Sequence, residues 1–259
     1  MIYLKTEEEI EMLRNSNILV SKTLGELAKW IKPGVTTMKL NQIADTFIRD
    51  NNGVPGFLNY RGFPKSICTS VNEQVVHGIP NDNPLNEGDI LSIDCGVLLD
   101  GFFGDSAYTF EIGTIKPEIK ILLETTKAAL YKGIAEATEG KRIGDIGWAI
   151  QSHCENAGYS VVREMIGHGV GRDLHEDPNV PNYGRRGNGT MLKRGMVIAI
   201  EPMINFGKKD IVQEEDGWTV RTVDKSVSAH FEHSVAIGKN SVDILSSFKY
   251  VEDVLNLKN

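Results

Sequence analysis

One pattern occurs twice in this chain, and each time it ends in an acid where a buried strand is expected. Leu85-Asn86-Glu87-Gly88 leads through an apolar run to Asp94, and Leu192-Lys193-Arg194-Gly195 leads through another to Glu201. Val76-His77-Gly78-Ile79 is echoed by Gly167-His168-Gly169-Val170. Gly104-Asp105-Ser106-Ala107 is loosely matched by Phe231-Glu232-His233-Ser234-Val235, with an acid and a serine inside a strand-like run in both. Each match is weak alone, but three in the same order imply an internal duplication and a pseudo-twofold axis.

The periodicity of the intervening sequence supports two like halves. Thr6 and Glu9 form a capping-box pair, and Ile10, Leu13, Ile18, Leu24 and Leu27 continue an apolar helical stripe toward Pro33-Gly34. A second helix carries Leu40, Ile43, Phe47 and Ile48 and stops at Asn51-Asn52-Gly53. Strands are expected around 66–70 and 90–110. The order returns with helices through Ile119–Ile134 and Ile143–Ala157, closed by Gly158, and with strand-like sequence at 160–166, 196–200 and 218–237. The expected class is α+β, two helix-helix-strand-strand halves of roughly 1–115 and 116–240 in a single domain over 1–259, with a short C-terminal tail.

Asp100-Gly101 is a strong two-residue hairpin signal, and folding there pairs residue 94 with residue 107. Side chains alternate along a strand, so Asp94 and Asp105 fall on one face, diagonally across the hairpin. A lone strand aspartate is usually a solvated side chain near a turn. Two buried and unpaired carboxylates repel and cost several kcal/mol each to desolvate, so a positive partner is required. Neither strand has a lysine or arginine close by, while the second half adds Glu201, Glu232 and His168. Four carboxylates balance two divalent cations. Oxygen donors with one imidazole suit Co, Mn, Fe or Zn, in a pair about 3.5 to 4 Å apart bridged by carboxylates and a hydroxide, the expected nucleophile of a dinuclear hydrolase.

Other features narrow the function class. The net charge of -7 gives no reason to expect DNA or general nucleic-acid affinity. Three cysteines without CxxC spacing suggest neither a disulfide framework nor a thiolate zinc site, and fit a reducing cytoplasm. The early acidic run Glu7-Glu8-Glu9 is unlike a signal peptide, and no apolar run approaches the roughly 20 residues that span a bilayer. Gly167-His168-Gly169-Val170-Gly171 is not a dinucleotide loop, because the third glycine of that motif would fall on Arg172.

These acids and histidines, each in its local motif, resemble those of the type I methionine aminopeptidases over roughly residues 3 to 240. The resemblance implies the pita-bread fold and removal of N-terminal methionine from nascent polypeptides whose second residue is small. It implies that Asp94 chelates one ion, that His168 and Glu201 hold the other, and that Asp105 and Glu232 bridge. His77 then contacts the scissile amide nitrogen, His175 stabilises the developing oxyanion, and Glu201 shuttles a proton. Tyr60, Phe63, Cys68, Leu174 and Trp218 form the apolar pocket for the first side chain. Phe57 and Leu174 stand where some bacterial members have Cys and Phe, and Phe63 stands where Tyr is common. The spacing from Glu201 to Glu232 is too short for the helical insertion of type II enzymes. His230 and His233 flank Glu232, either supporting it or simply packing. The ribosomal exit region is implied as a partner by the resemblance alone, and a monomer is favoured. Two competing readings are an X-Pro peptidase on the same fold, which usually has a large amino-terminal domain, and a binding module that has lost catalysis, which would have lost ligands.

Overall fold

The computed structural model describes residues 1–258; residue 259, the last of the expected span, lies outside them. Helix α1 (Glu7–Ala28) begins in the expected capping box, with Glu9 N donating to Thr6 Oγ1 at 3.3 Å and Thr6 N donating to Glu9 Oε2 at 3.1 Å. It ends before the Pro33-Gly34 break, and buried Ile31 continues the apolar stripe in non-helical backbone. Helix α2 (Thr37–Asp50) stops at the expected Asn-Asn-Gly, where Asn52 rather than the glycine takes the left-handed conformation. The second pair is α3 (Pro117–Ala135) and α4 (Ile143–Asn156), followed by Gly158 at positive φ.

The halves use their strands in the same spatial order. In the first, strand Ile90–Leu99 has Phe102–Glu111 on one side and Cys68–Val71 on the other. In the second, Val197–Ile200 has His233–Ile237 on one side and Gly167–Gly169 on the other. The two sheets meet through reciprocal bonds. Ser106 Oγ donates to the Glu232 carbonyl at 2.7 Å, Ser234 Oγ donates to the Asp105 carbonyl at 2.9 Å, and Glu232 N donates to the Ala107 carbonyl at 3.0 Å.

Two expected strands are shorter than their sequence suggested. The 218–237 stretch divides into Val220–Thr222, Ser228–His230 and His233–Ile237, and the first of the two breaks falls where Asp224 accepts from Ser226 N and Lys225 adopts φ 59, which turns the chain. The 160–166 stretch keeps only Ser160–Val161 as strand. The tail is not loose: after Ser247 N donates to Ser21 Oγ at 2.8 Å, helix α5 (Lys249–Lys258) packs on α1, and Gly25 leaves the space that Tyr250 needs.

α1 braces the strand that carries Asp105. Asn17 Oδ1 accepts from Asp105 N at 3.2 Å, and Ser16 Oγ donates to the Phe102 carbonyl at 2.9 Å. The approach is close enough that a Cβ on Gly104 would lie 2.5 Å from the Ser16 carbonyl carbon and 2.6 Å from Asn17 N. Both obstacles are helix backbone and cannot rotate away. Gly104→Ala is therefore expected to cost about 2 kcal/mol or more, read as a lower urea midpoint at unchanged slope. A midpoint equal to that of the parent would contradict this bracing.

Candidate metal centre

Asp100 and Gly101, both at positive φ (51° and 80°), make the two-residue turn. Asp94 opposes Ala107 and Gly96 opposes Asp105, so the acids are diagonal neighbours on one face. Glu201 follows the end of Val197–Ile200, Glu232 precedes His233–Ile237, and His168 lies in Gly167–Gly169. All five side chains line one cavity of about 270 Å³.

These groups face one another as acceptors. His168 Nδ1 lies 2.9 Å from the Gly169 carbonyl, which can only accept, so the proton is on Nδ1 and the Nε2 lone pair points inward. That Nε2 is 3.7 Å from Asp105 Oδ2 and 3.7 Å from Glu201 Oε1. Burial holds the imidazole down at about 4, so it is neutral near pH 7. Ligand atoms of Asp105, His168 and Glu232 lie within 4.8 Å of one another. Asp94 Oδ1, Asp105 Oδ1 and Glu232 Oε1 are buried with no hydrogen-bond partner. Burial pushes Asp94 up to about 7, partly offset by hydrogen bonding to Asp105 and to the Cys95 backbone. It pushes Asp105, Glu201 and Glu232 well above the usual carboxylate range, and neighbouring acids raise these three further. Among the described residues, no lysine or arginine forms an ion pair with any of the four. Orphaned carboxylate oxygens around an inward imidazole lone pair are the donor set a divalent cation needs.

Around the acids stands an apolar wall. Phe57, Phe63, Cys68 and Leu174 pack together, with Tyr60, Ile79, Phe103 and Trp218 against them. Phe63 and Trp218 meet edge to face at 5.2 Å between centroids. His77 and His175 line the same cavity, His77 at φ 59 and His175 stacked on Tyr60 with Nδ1 2.9 Å from the phenol oxygen. Every site residue singled out from sequence is therefore brought to this one cavity.

The flanking histidines diverge. His230 Nε2 faces Glu201 Oε2 at 3.7 Å, whereas His233 turns away to Ser246 Oγ at 2.6 Å and Tyr131 OH at 3.2 Å. Arg61, also on the cavity wall, had drawn no attention in the sequence. Its only local signal is the unusual left-handed backbone at φ 48, which a sequence does not display.

The model of metallopeptidase family M24 matches residues 11–239. The chain belongs to this family. It is 50% identical to methionine aminopeptidase 1 of Bacillus subtilis over 95% of this chain and 99% of that one. It is 49% identical to a methionine aminopeptidase of Clostridium acetobutylicum, again over 95% of this chain and 99% of the relative. The crystal structure of methionine aminopeptidase from Rickettsia prowazekii superposes with a TM-score of 0.94 at 46% identity, covering 95% of this chain and all of that one. A prolidase from Pyrococcus furiosus gives a TM-score of 0.73 at 22% identity, over 94% of this chain and 65% of the other, which shows a shared fold alone. The pita-bread expectation stands, and M24 membership makes this a metallopeptidase.

An M24 chain with such raised carboxylates has a signed pH dependence. A carboxyl whose folded value is raised contributes stability below its unfolded value, and that contribution is lost as pH rises through the folded value. For Asp94 the loss runs from the ordinary 3.8 to about 7. His168, held at about 4, and His175, His230 and His233, held at about 3, add stability as pH rises toward 6.5 and oppose this. The melting temperature of chelator-treated protein should therefore fall from about pH 6.5 to about pH 8.5, where only the carboxyls still titrate, and a saturating divalent ion should raise it more at the upper pH. Melting curves with and without ion check this. A metal-free melting temperature that climbs over that range would count against it.

Proposed function

We propose that this chain is a single catalytic domain that removes the N-terminal methionine from nascent polypeptides with a small second residue. The observation that carries the reading is five inward-facing metal donors at the floor of an apolar cavity, in a chain half identical to methionine aminopeptidases. Asp94, Asp105, His168, Glu201 and Glu232 would hold two divalent ions, drawn from Co, Mn, Fe or Zn. When bound, such ions neutralise the acids, polarise the scissile carbonyl and lower the pKa of water.

The remaining chemistry belongs to the chain's own residues. Glu201 Oε1 faces His168 and its Oε2 faces His230, so the carboxylate lies between the two imidazoles. From there it takes a proton from the attacking water and delivers it to the leaving amine. Burial raises the Tyr60 phenol above its ordinary value, so it stays neutral, and in the tautomer this role requires it donates to His175 Nδ1, 2.9 Å away. That fixes the proton of His175 on Nε2, free to donate to the carbonyl oxygen as charge develops. His77 is assigned to the scissile amide nitrogen.

The wall formed by Phe57, Phe63, Cys68 and Leu174, edged by Tyr60 and Trp218, receives the methionine side chain. An unbranched thioether fills an irregular apolar slot and makes favourable contacts with ring edges. Burying it contributes about 1.5–3 kcal/mol, enough to discriminate against shorter side chains by tens of fold. A cytoplasmic monomer working near the ribosomal exit is consistent with this role. No described helix is long and apolar enough to cross a membrane.

Hydrolysis of Met-Ala-Ser should disappear with chelator and return on anaerobic addition of Mn, Fe, Co or Zn. Xaa-Pro peptides should be cleaved far less efficiently. Glu201→Gln should lower kcat by about 10²–10⁴-fold. Chelator-resistant hydrolysis would refute the reading, and comparable Xaa-Pro cleavage would favour the prolidase-like alternative.

A further inference from the structure

We propose that the segment preceding α1 is a strap that positions His175, with Lys5 as a positioning residue acting through Glu176. This rests on the oxyanion role given to His175 above. Lys5 Nζ pairs with Glu176 Oε2, and the two side chains are 5% and 6% exposed. Among the lysine and arginine ion pairs of the described residues, no other has both side chains so completely covered. That distinction matters, because exposed pairs contribute little whereas loss of one partner from a buried pair leaves an uncompensated charge.

Lys5 is held by its backbone as well as by its side chain. Lys5 N donates to the Gly195 carbonyl at 2.7 Å, and a Cβ on Gly195 would lie 2.8 Å from the Lys5 oxygen. Gly195 opens the run into Val197–Ile200, whose next residue is Glu201. Lys5 is thus tied by its backbone to the strand that presents Glu201, and by its side chain to the residue after His175.

Glu176 in turn braces the loop from within. It pairs in register with Gly169, next to His168. Its carboxylate occupies the space beside Gly171, where a Cβ would come within 2.1 Å of Oε1, and Asp173 N donates to the same oxygen at 3.4 Å. On the outside, Arg172 reaches Glu9 of α1 at 3.3 Å. His175, whose ring centroid is 4.0 Å from that of His168, therefore sits on a loop located by Lys5 relative to both Glu201 and His168. A donor aimed at a developing charge must be held within a fraction of an ångström, and misplacement by about 1 Å costs on the order of 100-fold.

The test uses the metal-loaded full chain and Met-Ala-Ser. Lys5→Met should lower kcat by about 10–100-fold with KM changed less than about threefold and metal content unchanged, and Lys5→Arg should recover most of the loss. In a His175→Ala background, Lys5→Met should cost less than about twofold more, because the group it positions is gone. The Lys5→Met/Glu176→Gln double variant leaves no unpaired buried charge and carries the same test if Lys5→Met does not fold. Losses that multiply with His175→Ala, or full kcat in Lys5→Met, overturn the strap. If His175→Ala itself keeps full kcat, the role of His175 fails and the proposal falls with it.

Discussion

Carboxylate oxygens and an imidazole lone pair, all acceptors, are held facing one another out of water. Such a confrontation costs several kcal/mol per unpaired charge, a large fraction of the roughly 5–15 kcal/mol that keeps a domain folded. It is tolerable only if the groups cannot relax away and a cation or protons stand between them. The fold meets the first condition with strands. Asp94 and Asp105 are locked by a continuous ladder from Ile90↔Glu111 to Leu99↔Phe102, and the face behind them packs into the main core through Ile93, Cys95 and Val97.

Duplication explains how the remaining groups reach the same point. The strand next to the hairpin's second arm belongs to the other half, and Ser106 and Ser234 each donate to the carbonyl of the acid-bearing residue opposite. These crossed bonds spend serine hydroxyls, in positions where larger side chains would separate the sheets, on carbonyls that would otherwise lack partners. Asp105 and Glu232 lie at that junction, one from each half. The seam between halves and the acid-lined floor of the cavity are the same place.

What the sequence revealed follows the range of the interactions. The Asp100-Gly101 turn set a register through local φ preference, and the Thr6–Glu9 cap and the Asn51-Asn52-Gly53 stop acted over a few residues, so all three could be read directly. The acids and histidines were legible because buried charge in a strand is rare enough to demand a reason. The division of 218–237 into three strands was not legible, since the Asp224–Ser226 turn is embedded in strand-forming residues. Arg61 and the Lys5–Glu176 pair escaped for another reason: each depends on a contact across long sequence separation, or on a backbone conformation that residue type does not reveal. The divergence of His230 and His233 shows the same limit, since strand alternation tells that they differ but not which finds Ser246 and Tyr131.

The clustered acids with His168 and the apolar wall have different structural origins. The former stand on strands or at strand ends. Apart from Cys68 and Phe103, which stand on strands, the latter come from irregular segments: Phe57, Tyr60 and Phe63 from one, Leu174 from a second, Trp218 from a third. Loops change readily while a scaffold stays fixed. One of these loop residues is nevertheless keyed to the scaffold. Gly56 N donates to the Gly96 carbonyl at 2.8 Å, and the Phe57 ring fills the space above Gly96, where a Cβ would come within 2.4 Å of Cε1. Gly96 lies two residues from Asp94 and opposite Asp105. The position of the Phe57 ring in the apolar wall is thus tied to the strand that carries Asp94. On the proposed reading, the wall that meets a methionine-like side chain is then keyed to the hairpin that carries Asp94 and Asp105.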